Sequence, residues 1–363
     1  MKKLFTLIVF ACVALHAAAQ LENGFYRIQN VASERYIVMY DPYVLVNKGT
    51  ATVNLRALQT IKSWNTVRSH MGSVWYIESK GNNQYDLFCQ HSSLGANSSG
   101  FYPNLLLING AYQIYGSYEG YTKYLNDADE EDSPDGYVNI TGSKRLNWSF
   151  IPISGDNYIG VEPETEADGY YWATFYSGFA FKLGSGMKAY YVNDINNSGF
   201  SMKEIGSEVP AKTPVILRLN GSSPSDNKIT MVRSSSASKP SGNKLYGSWY
   251  SSTLSGKHKD YNTTYESNNR ILGSSGGRLA FVKASSSRLV EGSYIEHNRA
   301  YIAVGSGASD NIIESTDGIF NIQNSELDES EKGIYSLTGQ KIPEGTTPRP
   351  GIYIRDGKKV VIK

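Results

Sequence analysis

The sequence predicts an all-β protein, and three observations carry that prediction. Short runs of aromatic and β-branched residues alternate with polar positions at period two along most of the 363 residues. Turn formers punctuate these runs, with 35 glycines and 12 prolines, and 27 tyrosines supply side chains suited to half-buried strand positions. Apolar residues at helical spacing gather in one stretch only, 53–71. The elements divide into a leader (1–19), a first strand-rich domain (20–155), a second (156–312), a linker (313–332) and a C-terminal segment (333–363).

The leader joins Lys2 and Lys3 to an apolar run from Leu4 to Leu15, then Ala17, Ala18 and Ala19. A basic n-region, a short apolar core and small residues before a cut site make a secretory signal peptide. The run is too short to cross a hydrocarbon core, which needs roughly 20 residues. Cleavage is expected after Ala19, leaving Gln20 first. A lipid anchor on Cys12 would cut the apolar run in its middle, and Phe10 is large for the position it would hold. The expected location is therefore outside the cytoplasm, at the cell surface, in the medium or in the periplasm. Without residues 1–19 the chain carries 33 Lys and Arg against 34 Asp and Glu, a balance that gives nucleic acid or an anionic membrane no handle. It also keeps a single cysteine, Cys89, so no internal disulfide can form and a buried core must supply the stability.

The first domain opens on Gly24-Phe25-Tyr26-Arg27-Ile28, followed by Tyr36-Ile37. A similar phrase returns at Tyr112-Gln113-Ile114 with Tyr124-Leu125, and a weaker one at Tyr85-Asp86-Leu87. Val74-Trp75-Tyr76-Ile77 and Asn147-Trp148-Ser149-Phe150-Ile151 read as closing strands. This pattern resembles the ricin-type β-trefoil, whose units run from a Tyr-x-Ile strand through a turn to a strand near a Trp. The family's Gln-x-Trp places Gln where this chain has Ser73 and Leu146. Within 53–71, Leu55, Leu58, Ile61, Trp64, Val67 and Met71 form one apolar stripe, with Asn54 as N-cap and Gly72 as stop, which predicts an inserted amphipathic helix.

In the second domain the clearest strands are Tyr170 to Leu183, Lys188 to Val192, Pro214 to Leu219, Ile229 to Val232, Arg278 to Lys283 and Arg299 to Val304. They predict an antiparallel sandwich. The stretch from Phe175 to Val192, with Val209 to Leu219, resembles an uncharacterised repeat domain of exported Bacteroidota proteins. Residues 305–330 read as a linker with one edge strand near 318–322. In the tail, Asp356-Gly357 between GIYIR and KKVVIK is a two-residue hairpin signal that sets Tyr353 opposite Val360 and Ile352 opposite Val361. This tail resembles a shortened type IX sorting domain of secreted and surface proteins of Bacteroidota, which implies a sorting or attachment role.

No sequence signature of catalysis, of a cofactor or of a metal centre is present. His-Glu-x-x-His, Cys-x-x-Cys, Gly-x-Ser-x-Gly and phosphate-loop spacings are absent. Cys89 and His91 point the same way along a strand but stand about 6.5–7 Å apart, too far for a thiolate and its base, so Cys89 reads as a small buried hydrophobe. The acidic stretch Asp127 to Asp135 puts Asp132 and Val138 where a calcium loop needs Gly and Glu, and reads as a solvated hairpin loop. Trp64, Trp75, Trp148 and Trp172 read as core. The candidate ligand contacts are Tyr124 with Asn126 and Asp127, an aromatic face beside polar groups suited to sugar hydroxyls, and Trp249 with Tyr250 in a loop context. The expected function is non-catalytic binding of a glycan or surface polymer. The alternatives are a structural or adhesive surface component and, third, a hydrolase whose paired carboxylates are distant in sequence.

Overall fold

The computed structural model describes residues 21–39, 58–90, 92–94, 103–118, 120–129, 133–140, 142–249, 263–315 and, in the tail, 334–337, 340–343, 348, 350–355 and 358–362. The leader with Ala19 and Gln20, His91, Glu130 to Asp132, Tyr250, the 318–322 island and the Asp356-Gly357 turn lie outside the described residues. The protein is all-β, built from several mainly antiparallel sheets.

Twelve strands form the first unit: β1 (Gly24–Asn30), β2 (Tyr36–Met39), β3 (Leu58–Ile61), β4 (Trp75–Gly81), β5 (Gln84–Cys89), β6 (Ser92–Leu94), β7 (Asn104–Ile108), β8 (Ala111–Tyr118), β9 (Tyr121–Tyr124), β10 (Asn126–Ala128), β11 (Asp135–Asn139) and β12 (Asn147–Pro152). β1, β12, β8, β7, β5 and β4 pair in that order, and β4 returns to β1, so six strands close into a ring. The remaining strands form hairpin-like additions on it, which is the trefoil arrangement. The repeated phrases define its interior. Ile28, Leu87 and Ile114 from the first strands, Ile37, Leu94 and Leu125 from the second, and Trp75, Leu105 and Trp148 from the last share one core. Two indoles perform the same task in different units, Trp75 Nε1 donating to Ile37 O (3.2 Å) and Trp148 Nε1 to Leu125 O (3.1 Å).

The predicted helix is shorter than its stripe. Asn54 and Leu55 lie outside the described residues; among the described ones Trp64–Val67 is α-helical (α1), capped by Ser63, while Leu58 to Ile61 are extended as β3. β3 lies between β2 and β11, and those backbone bonds outweigh a helical preference in a four-residue segment. The turn Met71–Ser73 follows. Ser73, which stands where the trefoil family has Gln, is fully buried and accepts Arg27 Nε at 3.1 Å. Arg27 also donates to Asn157 Oδ1 at 2.7 Å and lies over Trp64, and burial lowers its pKa to about 10.

The second unit comprises β13 (Ile159–Gly160), β14 (Thr165–Ala167), β15 (Tyr170–Phe175), β16 (Ala180–Leu183), β17 (Lys188–Ile195), β18 (Gly199–Ile205), β19 (Glu208–Val209), β20 (Val215–Leu219), β21 (Lys228–Val232), β22 (Leu245–Gly247), β23 (Asn269–Ser275), β24 (Arg278–Val282), β25 (Ala300–Ala303) and β26 (Asn311–Glu314). A four-stranded sheet, β13-β21-β16-β19, faces a ten-stranded one, β14-β15-β20-β17-β18-β26-β24-β23-β25-β22. Period two explains how both faces of the larger sheet are apolar. On β20, Val215 and Leu217 join Phe181, Ile229 and Met231, whereas Ile216 joins Trp172, Phe200 and Phe281 on the other side. One pairing departs from the predicted antiparallel plan: β26 runs parallel to β18, and this strand extends past residue 312 to Glu314.

The two units share a core. Met71 and Val74 of the first are buried in the cluster that holds Phe175, Phe179 and Phe181, and Phe25 meets Phe179 edge-on at 5.1 Å. The tail forms a separate three-stranded sheet, β27 (Ile334–Ser336), β28 (Gly351–Arg355) and β29 (Lys358–Ile362), with Tyr353 opposite Val360 and Ile352 opposite Val361 as predicted. Among the described residues no helix is long and apolar enough to cross a membrane.

Candidate functional site

The first predicted contact set divides between surface and interior. Tyr124 is half-buried at the end of β9, with its ring 5.7 Å from Tyr115, and Tyr121 nearby is 69% exposed. Asn126 and Asp127, by contrast, are buried, and this corrects the picture of a sugar-facing turn and of Asp127 in a solvated loop. Asp127 pairs with Arg35 at 2.8 Å, both fully buried. Its carboxylate also accepts from Thr60 Oγ1 at 2.6 Å and from Ser33 Oγ. Arg35 spends further donors on Ser133 O and Ala128 O. Gly136 must be glycine here, since a Cβ would lie 2.6 Å from Ala128 O and 2.8 Å from Thr60 Oγ1. Asn126 accepts the Gly142 N–H at 3.1 Å. These groups tie β2 and β3 to β10 and β11. A buried charge pair survives when its remaining donors and acceptors are also met, as they are here.

Trp249, the loop candidate for a ligand contact, is not an exposed face. It is half-buried, packs against the trefoil core, and its ring lies 4.1 Å from Tyr176. Cys89 is buried as predicted, its Sγ 3.4 Å from Gly72 O, and burial pushes its thiol well above the ordinary value.

The polar cavity lies elsewhere, at the junction of the two units. A space of about 270 Å³ is lined by Asn65, Thr66, Ser69 and His70 from the first unit and by Glu162, Glu296, His297 and Arg299 from the second. An adjoining space of about 370 Å³ shares Glu162, Glu296 and Arg299 and adds Glu164 and Arg288. The larger lies within the size range of small-ligand sites, about 300–1,000 Å³. Helix α1 and the Met71–Ser73 turn present one wall. The β13–β14 connection and the turn that leads into β25 present the other.

Arg299 organises the second wall. Its Nη1 lies 3.2 Å from Glu162 O, 3.3 Å from Thr174 O and 3.5 Å from Glu164 Oε1, and its Nε lies 3.7 Å from Glu296 Oε2. Two carboxylates distant from each other in the general order of the chain thus meet on one guanidinium. Glu164 also accepts from Thr174 Oγ1 at 2.6 Å and from the Thr174 N–H. Burial raises its pKa despite Arg299, yet its committed lone pairs make it a structural carboxylate rather than a proton donor to a substrate. The exposed carboxylates of Glu162 and Glu296 are the ones that face solvent at the rim.

Across the cavity, His70 and His297 stack with ring centroids 4.1 Å apart and planes 25° from parallel. His70 Nδ1 accepts the Gly72 N–H at 3.0 Å. Beside them, Asn298 adopts φ 56° and its amide donates to Gln90 Oε1 at 2.8 Å and Tyr176 O at 2.9 Å, a second bridge between the units. Of these residues only Glu162 and Glu164 stand out in the sequence, within an acidic run (Glu162, Glu164, Glu166, Asp168) that reads as a charged interdomain connection. The contributing stretches, 65–70, 162–164 and 296–299, lie far apart in the sequence, and only the docking of the two units brings them together. Among the described residues no cluster of three or more His, Cys, Asp or Glu is arranged to hold a metal ion.

No protein-family profile matches the chain, and no curated protein does. Among solved structures, the Rhizoctonia solani agglutinin is similar at 18% sequence identity, over 38% of this chain and 99% of that one, with a TM-score of 0.20.

Proposed function

We propose that this is an exported, non-catalytic binding protein whose ligand is a glycan or a comparable polyhydroxylated surface polymer, held in the cleft between the two units. The observation that carries the reading is the convergence, from opposite walls, of rim carboxylates (Glu162, Glu296), a guanidinium (Arg299) and small hydroxyl and amide side chains (Asn65, Thr66, Ser69) around one open space. Planar polar groups of this kind match sugar hydroxyls, which both donate and accept. Export rests on the leader, and the tail supports sorting or attachment at the surface, where many copies make weak single sites effective.

A glycan-array screen of the full chain tests this, with Arg299→Ala and Glu296→Gln as cleft variants and Tyr121→Ala as a control on the trefoil surface. The expected result is binding by the parent and the control, and at least about a tenfold loss in the cleft variants, the effect of about 1.4 kcal/mol. Absence of parental binding on the whole array would overturn it. That result would favour a structural or adhesive role, for which the exposed apolar run Leu106, Leu107, Ile108 with Val31 is the supporting feature.

A further inference from the structure

We infer that the stacked pair His70–His297 is an acid-opened latch between the two units, so that the cleft loosens and gives up its ligand as the surroundings acidify. The ligand part of this inference rests on the binding function proposed above; the latch itself does not.

The argument begins with one hydrogen bond. His70 Nδ1 accepts the Gly72 N–H, so it bears no proton, and the neutral ring carries its hydrogen on Nε2. Protonation has to occur at Nδ1. The new N–H would then point at the Gly72 N–H, and the bond that caps the Met71–Ser73 turn would be lost. Gly72 cannot retreat, because the turn is pressed against the trefoil: a Cβ there would lie 2.1 Å from Met39 O. The ring has to move instead, and the way open to it is the cleft.

The stack supplies the second element. With ring centroids 4.1 Å apart, charging both imidazoles sets like charges face to face across the junction. Burial lowers the pKa of both rings, and His297 lowers that of His70 further. A hydrogen bond to its own backbone favours the charged form of His70 but is outweighed by burial, and among the described residues the charged groups facing the pair do not reverse this. Glu296 favours the charged form of His297, but Arg299 opposes it and is itself bound to Glu296 and Glu164. Glu162 lies at the exposed rim. On the trefoil side, Cys89 lies against the carbonyls of Met71 and Gly72, and Arg27 against those of Val67 and Arg68, so neither offers the rings a negative charge.

The sign follows from linkage. Groups held below their ordinary value of 6.5 when the junction is closed contribute full stability above that value, and the contribution is lost as pH falls below it. Glu164 acts oppositely: burial raises its pKa above 4.5, so it takes up a proton more readily closed than open. The latch therefore opens between the imidazole range and the carboxylate range.

Amide hydrogen exchange of the full chain without ligand tests it, comparing about pH 7.5 with about pH 5 after correction for intrinsic rates. At the lower pH the amides of Arg68 to Val74 should lose about tenfold in protection, the effect of about 1.4 kcal/mol, while those of Ile28 and Trp148 keep theirs. His297→Phe retains a stacking ring without charge, and His70→Asn retains an N-cap acceptor for Gly72. The double variant should stay closed at both pH values. Parental protection that does not fall, or a double variant that loses as much as the parent, overturns the latch. Should the double variant not fold, His297→Phe alone should show a smaller loss, and an unchanged loss overturns it. Imidazole proton resonances of the parent give a second readout, and a His70 signal titrating at its ordinary value with the junction still closed overturns it as well. Because exchange is read without glycan, the latch can stand or fall independently of the array result. Where a glycan binds, its retention should drop at the lower pH for the parent and not for the double variant.

Discussion

Asp127 shows how much one residue's surroundings decide. By type and neighbours it belongs to an acidic surface loop, yet it is fully buried against Arg35, with Ser33 and Thr60 completing its shell. Removing it would strand the guanidinium in the interior. Asp127→Ala should therefore cost about 3–5 kcal/mol of unfolding free energy in chemical denaturation. Tyr124→Ala, at a half-buried site of the same turn, should cost clearly less. Comparable losses in the two variants would mean that Asp127 is not the anchor described. The same reasoning removes Asn126 and Asp127 from the sugar-contacting role that their residue types suggested.

At the scale of elements, the trefoil repeat is carried by strands whose cores are equivalent although their loops differ in length. Period-two alternation located β1, β4, β5, β8 and β12 correctly, because a strand with one buried face must alternate. Helical spacing misjudged 58–61, where Leu58 and Ile61 suit either a helix or a strand, and where pairing with β2 and β11 decided the matter. The equivalence of the closing strands makes a quantitative prediction. Trp75→Phe and Trp148→Phe each remove an indole donor and leave a buried carbonyl, Ile37 O or Leu125 O, without it. Each should lower stability by about 1–3 kcal/mol, and the two losses should resemble each other in denaturant titrations. A marked inequality would show that the units are not energetically equivalent. The tail hairpin was legible to the residue, including Arg355 opposite Lys358, because a two-residue loop leaves the register no freedom.

For the whole molecule, the two units act as one body through a common core around Phe25, Met71, Val74 and Phe179, whereas the tail sheet shares no strand with the others. Deleting 333–363 should leave the melting temperature of the remainder unchanged and alter where the protein is found after fractionation. An unaltered location would make the tail a structural appendage, and a lowered melting temperature would show that it packs on the body. Composition, periodicity and turn chemistry by themselves determined the all-β class, most strand positions, the burial of Trp75, Trp148, Trp172 and Cys89, and the tail register, since each depends on alternation within a few neighbouring residues. Only the tertiary structure decided that Asp127 is an internal anchor, that Trp249 packs on Tyr176, and that His70, Glu162, Glu164, His297 and Arg299 meet. Those outcomes depend on which surfaces dock, and docking joins residues that no local spacing relates.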